Sequence, residues 1–345
     1  MPTIALTHKA DAREYWFGDV ALERLSRLGA VKLNPGRLSL SGGALVDFIG
    51  SAPFVLLDRE TRMGRAEIEA LPDLVAILRS GVDCSMVDID AASEAGILVV
   101  AAQPGYVEST AEHGMCLLLA AARQVPRYDS AFHRGEGIAP TMGTELASAT
   151  VGVIGYGRVG RYLARLLACF GAQVLVADPL LEGSTMQSGE KHMGFEELLL
   201  MSDFVVLTAA VTPETRGMIG KEALARMPVH AWLINLARGE LVDEDALEAA
   251  LRAGIIAGAA MDVGAAPDNV PSNRFRGLFN VIATPHIGNL TAASLHRQPI
   301  NTVSNLSELL AGSLPASCLN SDHAQRLQRW WEVSAGEVSE RQAGF

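Results

Sequence analysis

"VGVIGYGRVGRYLARLLACFGAQVLVADP", residues 151–179, is the stretch whose reading decides the fold. Val151–Ile154 is apolar on both faces, as a strand buried within a parallel sheet is. Gly155-Tyr156-Gly157-Arg158-Val159-Gly160 follows at once, and the next residues, "RYLARLLACFG", carry apolar side chains at helical spacing. A GxGxxG pattern alone is a weak signal in a chain with 33 glycines. Set between a strand and a helix, each glycine has a mechanical task. Gly155 makes the tight turn, Gly157 admits a pyrophosphate close to the backbone, and Gly160 lets the helix pack on the strand. Arg158 and Val159 open that helix, whose free N–H groups and partial positive charge suit a diphosphate. A second strand, "AQVLVADP", ends at Asp178, 18 residues past Gly160, where a carboxylate can accept from both adenosine ribose hydroxyls. That carboxylate would repel a 2′-phosphate and no Arg follows it closely, so NAD is favoured over NADP.

Outward from this unit, short apolar runs alternate with longer amphipathic ones, the pattern of parallel sheets with crossover helices. Before it, strands are expected at Thr3–Thr7, Phe54–Leu57, Leu74–Leu78 and Ile97–Val100. "ESTAEHGMCLLLAAARQV" reads as a long helix with Ser109 or Thr110 placed to cap it. After the glycine motif, strands are expected at Phe204–Leu207, Trp232–Asn235, Ala257–Val263 and Val281–Ala283. A helix, "NTVSNLSELLAGSLP", and a polar tail follow. In that tail Trp330 and Trp331 stand side by side, so at least one is expected to pack against the protein or a partner subunit.

With 345 residues the chain has room for two domains. Its net charge of -11 and lack of a basic tract argue against a nucleic-acid or anionic-membrane partner. Cys84, Cys116, Cys169 and Cys318 are scattered, with no zinc-ligand spacing, so free thiols in a reducing cytosol are expected and no metal. The first residues lack the basic start and apolar core of a signal peptide. The longest apolar run, Met115–Ala122, is too short to span a bilayer. A soluble, cytoplasmic protein is expected.

Four collinear segments, "TVGVIGYGRVGRYLARLL", "LTAAVTPETRGMIG", "LINLARGELVDEDALEAALRAGIIAGAAMDV" and "NVIATPHIGNLT", resemble the D-isomer-specific 2-hydroxyacid dehydrogenases. The match is to the short form, without a C-terminal regulatory domain. "VDIDAASEAGILVV" and "STAEHGMCLLLAAAR" match more loosely. The resemblance implies an α/β fold in which a doubly wound parallel sheet, the Rossmann NAD-binding domain at 119–290, is inserted into a flavodoxin-like α/β substrate domain. That second domain would comprise 1–118 and 291–345, with the active site in the cleft.

The resemblance also assigns residues. Arg238, in "NLARG", matches the substrate-binding arginine, and a planar guanidinium can grip a 2-keto acid carboxylate bidentately. His286, in "TPHIG", matches the catalytic histidine, and imidazole exchanges protons near neutral pH. Asp262 matches the aspartate that faces the nicotinamide carboxamide. Leu236, Ala237, Ala209, Ala210, Thr110 and Gly288 fall at cofactor-contacting positions, and Val82 and Asp83 in the substrate loop. The other histidines, His8, His113, His133, His192, His230, His296 and His323, read as structural or solvated.

The chain departs from the family where a glutamate normally holds the histidine, fixing its tautomer and stabilising the imidazolium. The run here is Gly264-Ala265-Ala266-Pro267, so the glutamate position holds Ala266 or, counted without a gap, Pro267. Three answers stay open: Asp268 reaches back to His286, an acid such as Glu108 or Glu112 substitutes, or His286 works unpaired. Asn289 and Val107 also depart from the family's commoner residues.

The leading reading is an oxidoreductase that moves a hydride between NAD and C2 of a small D-2-hydroxy or 2-keto acid, glyoxylate- or hydroxypyruvate-like. One alternative is a dehydrogenase of another small anion, formate- or phosphite-like. Another is an NAD(H)-binding regulatory protein with little catalysis, against which the presence of both Arg238 and His286 argues. A homodimer is expected, with the helix at Glu112–Arg123 and the polar segment after it available for the contact.

Overall fold

The computed structural model describes residues 1–181, 189–266 and 268–343, and side chains as far as residue 334. The chain forms two compact units, Met1–Gly105 with Ala292–Phe345, and Tyr106–Thr291.

The first unit is built on β1 (Thr3–Leu6), β2 (Ala30–Leu33), β3 (Phe54–Leu57), β4 (Ala76–Arg79) and β5 (Leu98–Val100). They lie in the order β2-β1-β3-β4-β5, with every pairing parallel. This is the flavodoxin-like order. Successive strand residues point to opposite faces. Ile4, Leu6, Phe54 and Leu56 therefore join one core, while Ala5, Val55 and Leu57 join the other. The first core is closed by Val303, Leu306, Leu309 and Leu327 from the end of the chain.

Three expectations for this unit change. β2 has no sequence counterpart, because "AVKL" is a mostly exposed edge strand with no apolar run to mark it. The helix read from Asn301 spans Ala292–Leu310, running through a buried Pro299 despite the hydrogen bond a proline removes. The polar tail contains a helix, Gln325–Ala343. Trp330 meets Phe54 edge to face at 5.2 Å, and Trp331 donates its indole N–H to the Leu309 carbonyl at 2.7 Å.

The second unit is a seven-stranded, wholly parallel sheet. Its strands are β6 (Thr150–Ile154), β7 (Gln173–Ala177), β8 (Lys191–His192), β9 (Phe204–Leu207), β10 (Trp232–Asn235), β11 (Gly258–Met261) and β12 (Val281–Ala283). The order β12-β11-β10-β9-β6-β7-β8 is doubly wound, and its direction reverses between β6 and β9, where such sheets open a crevice.

The long helix is Val107–Arg123, and it belongs wholly to this unit. The boundary therefore falls at 105/106, ahead of the helix, instead of at 118/119 within it. Gly114 is the physical reason: a Cβ there would lie 2.4 Å from Leu236 Cδ1, so its absence seats the helix directly on the sheet layer. Ala111, Leu118 and Ala122 then bury against Leu163 and Leu167. Neither Ser109 nor Thr110 caps it. Tyr106 occupies the N-cap without a side-chain bond, and the Ser109 hydroxyl pairs with that of Thr291 at 2.7 Å.

Candidate active site

The crevice between β6 and β9 is shaped by the glycine motif. A Cβ on Gly155 would lie 2.5 Å from Ala209 Cα, and one on Gly160 would lie 2.2 Å from the Gly155 carbonyl oxygen. Both glycines are demanded by protein packing. Gly157 differs: a Cβ there would meet nothing within 4 Å. Its missing side chain leaves open space at the N-terminus of the helix Arg158–Cys169, a cradle suited to a diphosphate. Thr208 Oγ1 donates to the Gly155 carbonyl at 2.6 Å and fastens the two sides.

Asp178, just past β7, accepts the Tyr156 N–H at 2.6 Å and the Leu180 N–H at 2.9 Å, one on each oxygen. A carboxylate has about four lone-pair sites, so acceptor capacity is left for ribose hydroxyls. Tyr156 also donates its phenol to Glu190 at 2.7 Å, and burial together with this bond pushes its pKa up to about 12. These residues fit NAD.

Arg238 lies three residues past β10. The Asn235 amide fixes the turn, donating to the Arg238 carbonyl at 2.9 Å and accepting the Ala237 N–H at 3.0 Å. The Arg238 side chain is exposed, and among the described residues only its Nη1 makes a hydrogen bond, to the Ala237 carbonyl at 2.7 Å. Most of its five donors remain for a ligand. Leu236 and Ala237 are buried beside it. Ala210 lies past β9, its carbonyl accepting from Thr215 Oγ1 at 2.8 Å.

Asp262 immediately follows β11 and is 3% exposed. Its carboxylate accepts from Thr284 Oγ1 at 2.7 Å, Ile287 N–H at 2.9 Å and Gly288 N–H at 2.8 Å, with His113 Nε2 at 3.3 Å. Burial alone would raise its pKa; His113, Thr284 and the two amides outweigh burial and bring it to about 2. Asp262 and Gly288 thus engage each other. His286, between β12 and these amides, is half-buried with a left-handed backbone, φ 55°, and its N–H bonds the Asp262 carbonyl at 2.9 Å.

The imidazole of His286 has no hydrogen bond or ion pair among the described residues. Asp268 is exposed and accepts the Val270 N–H at 3.4 Å, so it is not the partner that the sequence left open. Glu112 is exposed and makes no bond to His286. Pro267 lies outside the described residues. In the first unit, Asp83 caps its own turn through Ser85 N–H at 2.8 Å, and Val82 is exposed beside it.

Residues 115–288, half of the chain, match the model of "D-isomer specific 2-hydroxyacid dehydrogenase, NAD binding domain". The chain belongs to the D-isomer specific 2-hydroxyacid dehydrogenase family. It is 37% identical over 280 residues to a D-3-phosphoglycerate dehydrogenase of Mycobacterium leprae, covering 81% of this chain and 53% of that protein. The chain thus spans about half the length of the curated relatives it matches. Among solved structures, a Thermus thermophilus protein superposes with a TM-score of 0.74 at 30% identity, covering 92% of this chain and 99% of that one. A D-lactate dehydrogenase from Sporolactobacillus gives 0.76 at 28% identity, covering 93% and 99%.

Two residues of this family member escaped sequence reasoning. His113 was read as structural or solvated, yet it meets Asp262 and, at 3.0 Å, Thr284 Oγ1. His8 is buried among charged groups. His113 lies on the helix face that packs on the sheet, one turn from the expected cofactor position Thr110, a placement that sequence periodicity already carried. His8 had no such signal, because Asp58 and Arg79, which act on it, come from the ends of β3 and β4.

Proposed function

We propose that the chain is an NAD-dependent oxidoreductase acting on the CH–OH group of a small D-2-hydroxy acid, or reducing the corresponding 2-keto acid. The observation that supports this most is the common placement of Arg238, Asp262, His286 and the glycine cradle at the C-terminal ends of β10, β11, β12 and β6. Ligands of doubly wound sheets bind at that edge.

NAD, when bound, supplies or accepts the hydride. Gly157 and the following helix N-terminus hold the diphosphate, and Asp178 the adenosine ribose. Ala209, Ala210, Leu236, Ala237 and Thr110 line its further course. Arg238 grips the substrate carboxylate and draws electron density from the adjacent carbonyl. His286 gives a proton to the C2 oxygen in reduction and takes it back in oxidation. Asp262 and Gly288 set the turn that carries His286. Val82 and Asp83, in the first unit, are read by resemblance to the family as its substrate loop.

NADH oxidation over a panel of short 2-keto acids, glyoxylate and hydroxypyruvate included, tests the reading. Turnover that is lost in Arg238→Ala and His286→Asn supports it. Tight NADH binding with no turnover of any keto acid overturns it. The unpartnered imidazole of His286 favours one second reading, oxidation of a small formate- or phosphite-like anion, in which no imidazolium need be stabilised.

We also propose a homodimer, supported by Val125, Phe132 and Met142, which stand exposed in and just after the helix Val125–His133. A monomer by sedimentation at micromolar concentration overturns this. A cytoplasmic location is supported by four free cysteines. No helix among the described residues is long and apolar enough to cross a membrane, and none of their side-chain clusters has a metal-ligand set.

A further inference from the structure

Because the His286 imidazole has no side-chain partner among the described residues, its direction rests on the main chain beneath it. That main chain holds a left-handed conformation, φ 55°, which persists in a residue other than glycine only where the surroundings enforce it. Whatever enforces it is part of the geometry of the reaction.

His113 touches this turn on both sides of the histidine. Its Nε2 lies 3.0 Å from Oγ1 of Thr284, two residues before His286, and 3.3 Å from Oδ1 of Asp262. Its Cδ2 faces Gly288, two residues after His286: a Cβ there would lie 3.4 Å from His113 Cδ2 and 2.8 Å from Asp262 Oδ2. The proton count fixes the tautomer. The single hydroxyl proton of Thr284 goes to Asp262 Oδ1 at 2.7 Å, so toward His113 that hydroxyl can only accept. The Asp262 carboxylate, ionised above about pH 2, also only accepts. Nε2 therefore carries the proton and donates between the two.

The helix that carries His113 is anchored at the same point. Its neighbour Gly114 is the residue whose missing Cβ seats the helix against Leu236. Ser109 lies four residues before His113, on the same helix face, and its hydroxyl pairs with Thr291 at 2.7 Å. Ser109 and His113 thus grip the segment 284–291 at its two ends, with His286 between them. All of these residues belong to the second unit. Among the described residues no bond joins His113 to the His286 ring, so any effect on proton transfer passes through the turn.

We propose that His113 is a positioning residue for catalysis, bracing the turn from Thr284 to Gly288 so that the unpartnered imidazole of His286 keeps one direction. The inference rests on the dehydrogenase reading above.

The test measures NADH oxidation with hydroxypyruvate for His113→Ala, His113→Asn and His113→Gln, each alone and combined with His286→Asn. Glutamine places an amide N–H about as far out as Nε2, whereas asparagine stops short of it. Alanine and asparagine are expected to lower kcat by about 10- to 10²-fold, the cost of a misplaced reacting group, with KM and the Kd for NADH within about threefold of wild type. Glutamine is expected to restore kcat to within about threefold of wild type. In the His286→Asn background His113→Ala is expected to cost nothing further, because the group it positions is gone. A direct NADH titration and a thermal melt serve as folding controls, and if alanine does not fold, the glutamine and asparagine pair decides. Wild-type kcat in the variants, glutamine no better than asparagine, or an undiminished loss in the His286→Asn background overturns the inference and leaves the dehydrogenase reading intact. If wild type turns over no 2-keto acid, that reading fails, and amide hydrogen exchange over residues 284–291 decides the brace alone. Faster exchange in His113→Asn than in His113→Gln and wild type sustains it, and any other pattern overturns it.

Discussion

The main-chain carbonyl of Asp262 accepts the amide of His286 at 2.9 Å, while the Asp262 carboxylate accepts the next two amides, Ile287 and Gly288. The turn that aims the histidine is thus held from β11, a different strand from the one that precedes it. A buried, ionised acceptor with several donors is a stability element as well as a positioning one.

Replacing Asp262 by Asn exposes that element through pH. Its folded pKa, about 2, lies below the ordinary 3.8, so its stabilisation is present above about pH 4 and is lost as pH falls through 2. Denaturant unfolding at neutral pH is expected to show Asp262→Asn less stable by on the order of 2–3 kcal/mol. The gap should close toward about pH 2. A gap that persists unchanged in acid refutes the assignment.

His286 has φ 55°, a conformation that asparagine tolerates better than alanine. His286→Asn is therefore expected to melt with the wild type and to bind NADH normally, while kcat falls by about 10²- to 10⁴-fold. A thermal melt, a binding titration and a rate measurement on one preparation check all three.

Gly157 and Gly160 should fail in different ways. Gly160→Ala drives a methyl into the Gly155 carbonyl and is expected to cost about 1–3 kcal/mol of stability. Gly157→Ala meets no protein atom, so its melting temperature is expected to hold while the Kd for NADH rises. Equal loss of stability in both would show that the space beside Gly157 is not a ligand cradle.

His113 and Asp262 join the long helix to the turn that carries His286. A double-mutant cycle with His113→Ala and Asp262→Asn is expected to give a coupling energy of about 0.5–3 kcal/mol in unfolding. Strict additivity would reduce His113 to a bystander.

Much of this was written in local pattern. Phe204–Leu207, Trp232–Asn235 and Val281–Ala283 are strands at the residues that the apolar runs marked, and Asp178 directly follows β7 beside the glycine turn. β2 was missed because an exposed edge strand needs no apolar run. The domain boundary was set too late, because the fit of Gly114 against Leu236 is a contact 122 positions apart in the chain.

The sequence by itself determined the doubly wound cofactor unit and its glycine turn for NAD. These follow from spacing along one strand, turn and helix, where chain neighbours are spatial neighbours, whereas the proposal of Arg238 and His286 as the reactive pair rests on the family resemblance. Only the tertiary structure decided that Asp268 turns to Val270, that Asp262 spends its carboxylate on the His286 turn, and that His8, Asp58 and Ser80 converge on one cavity. Those relationships join the ends of separate parallel strands, which crossover connections place far apart in sequence and the sheet brings side by side.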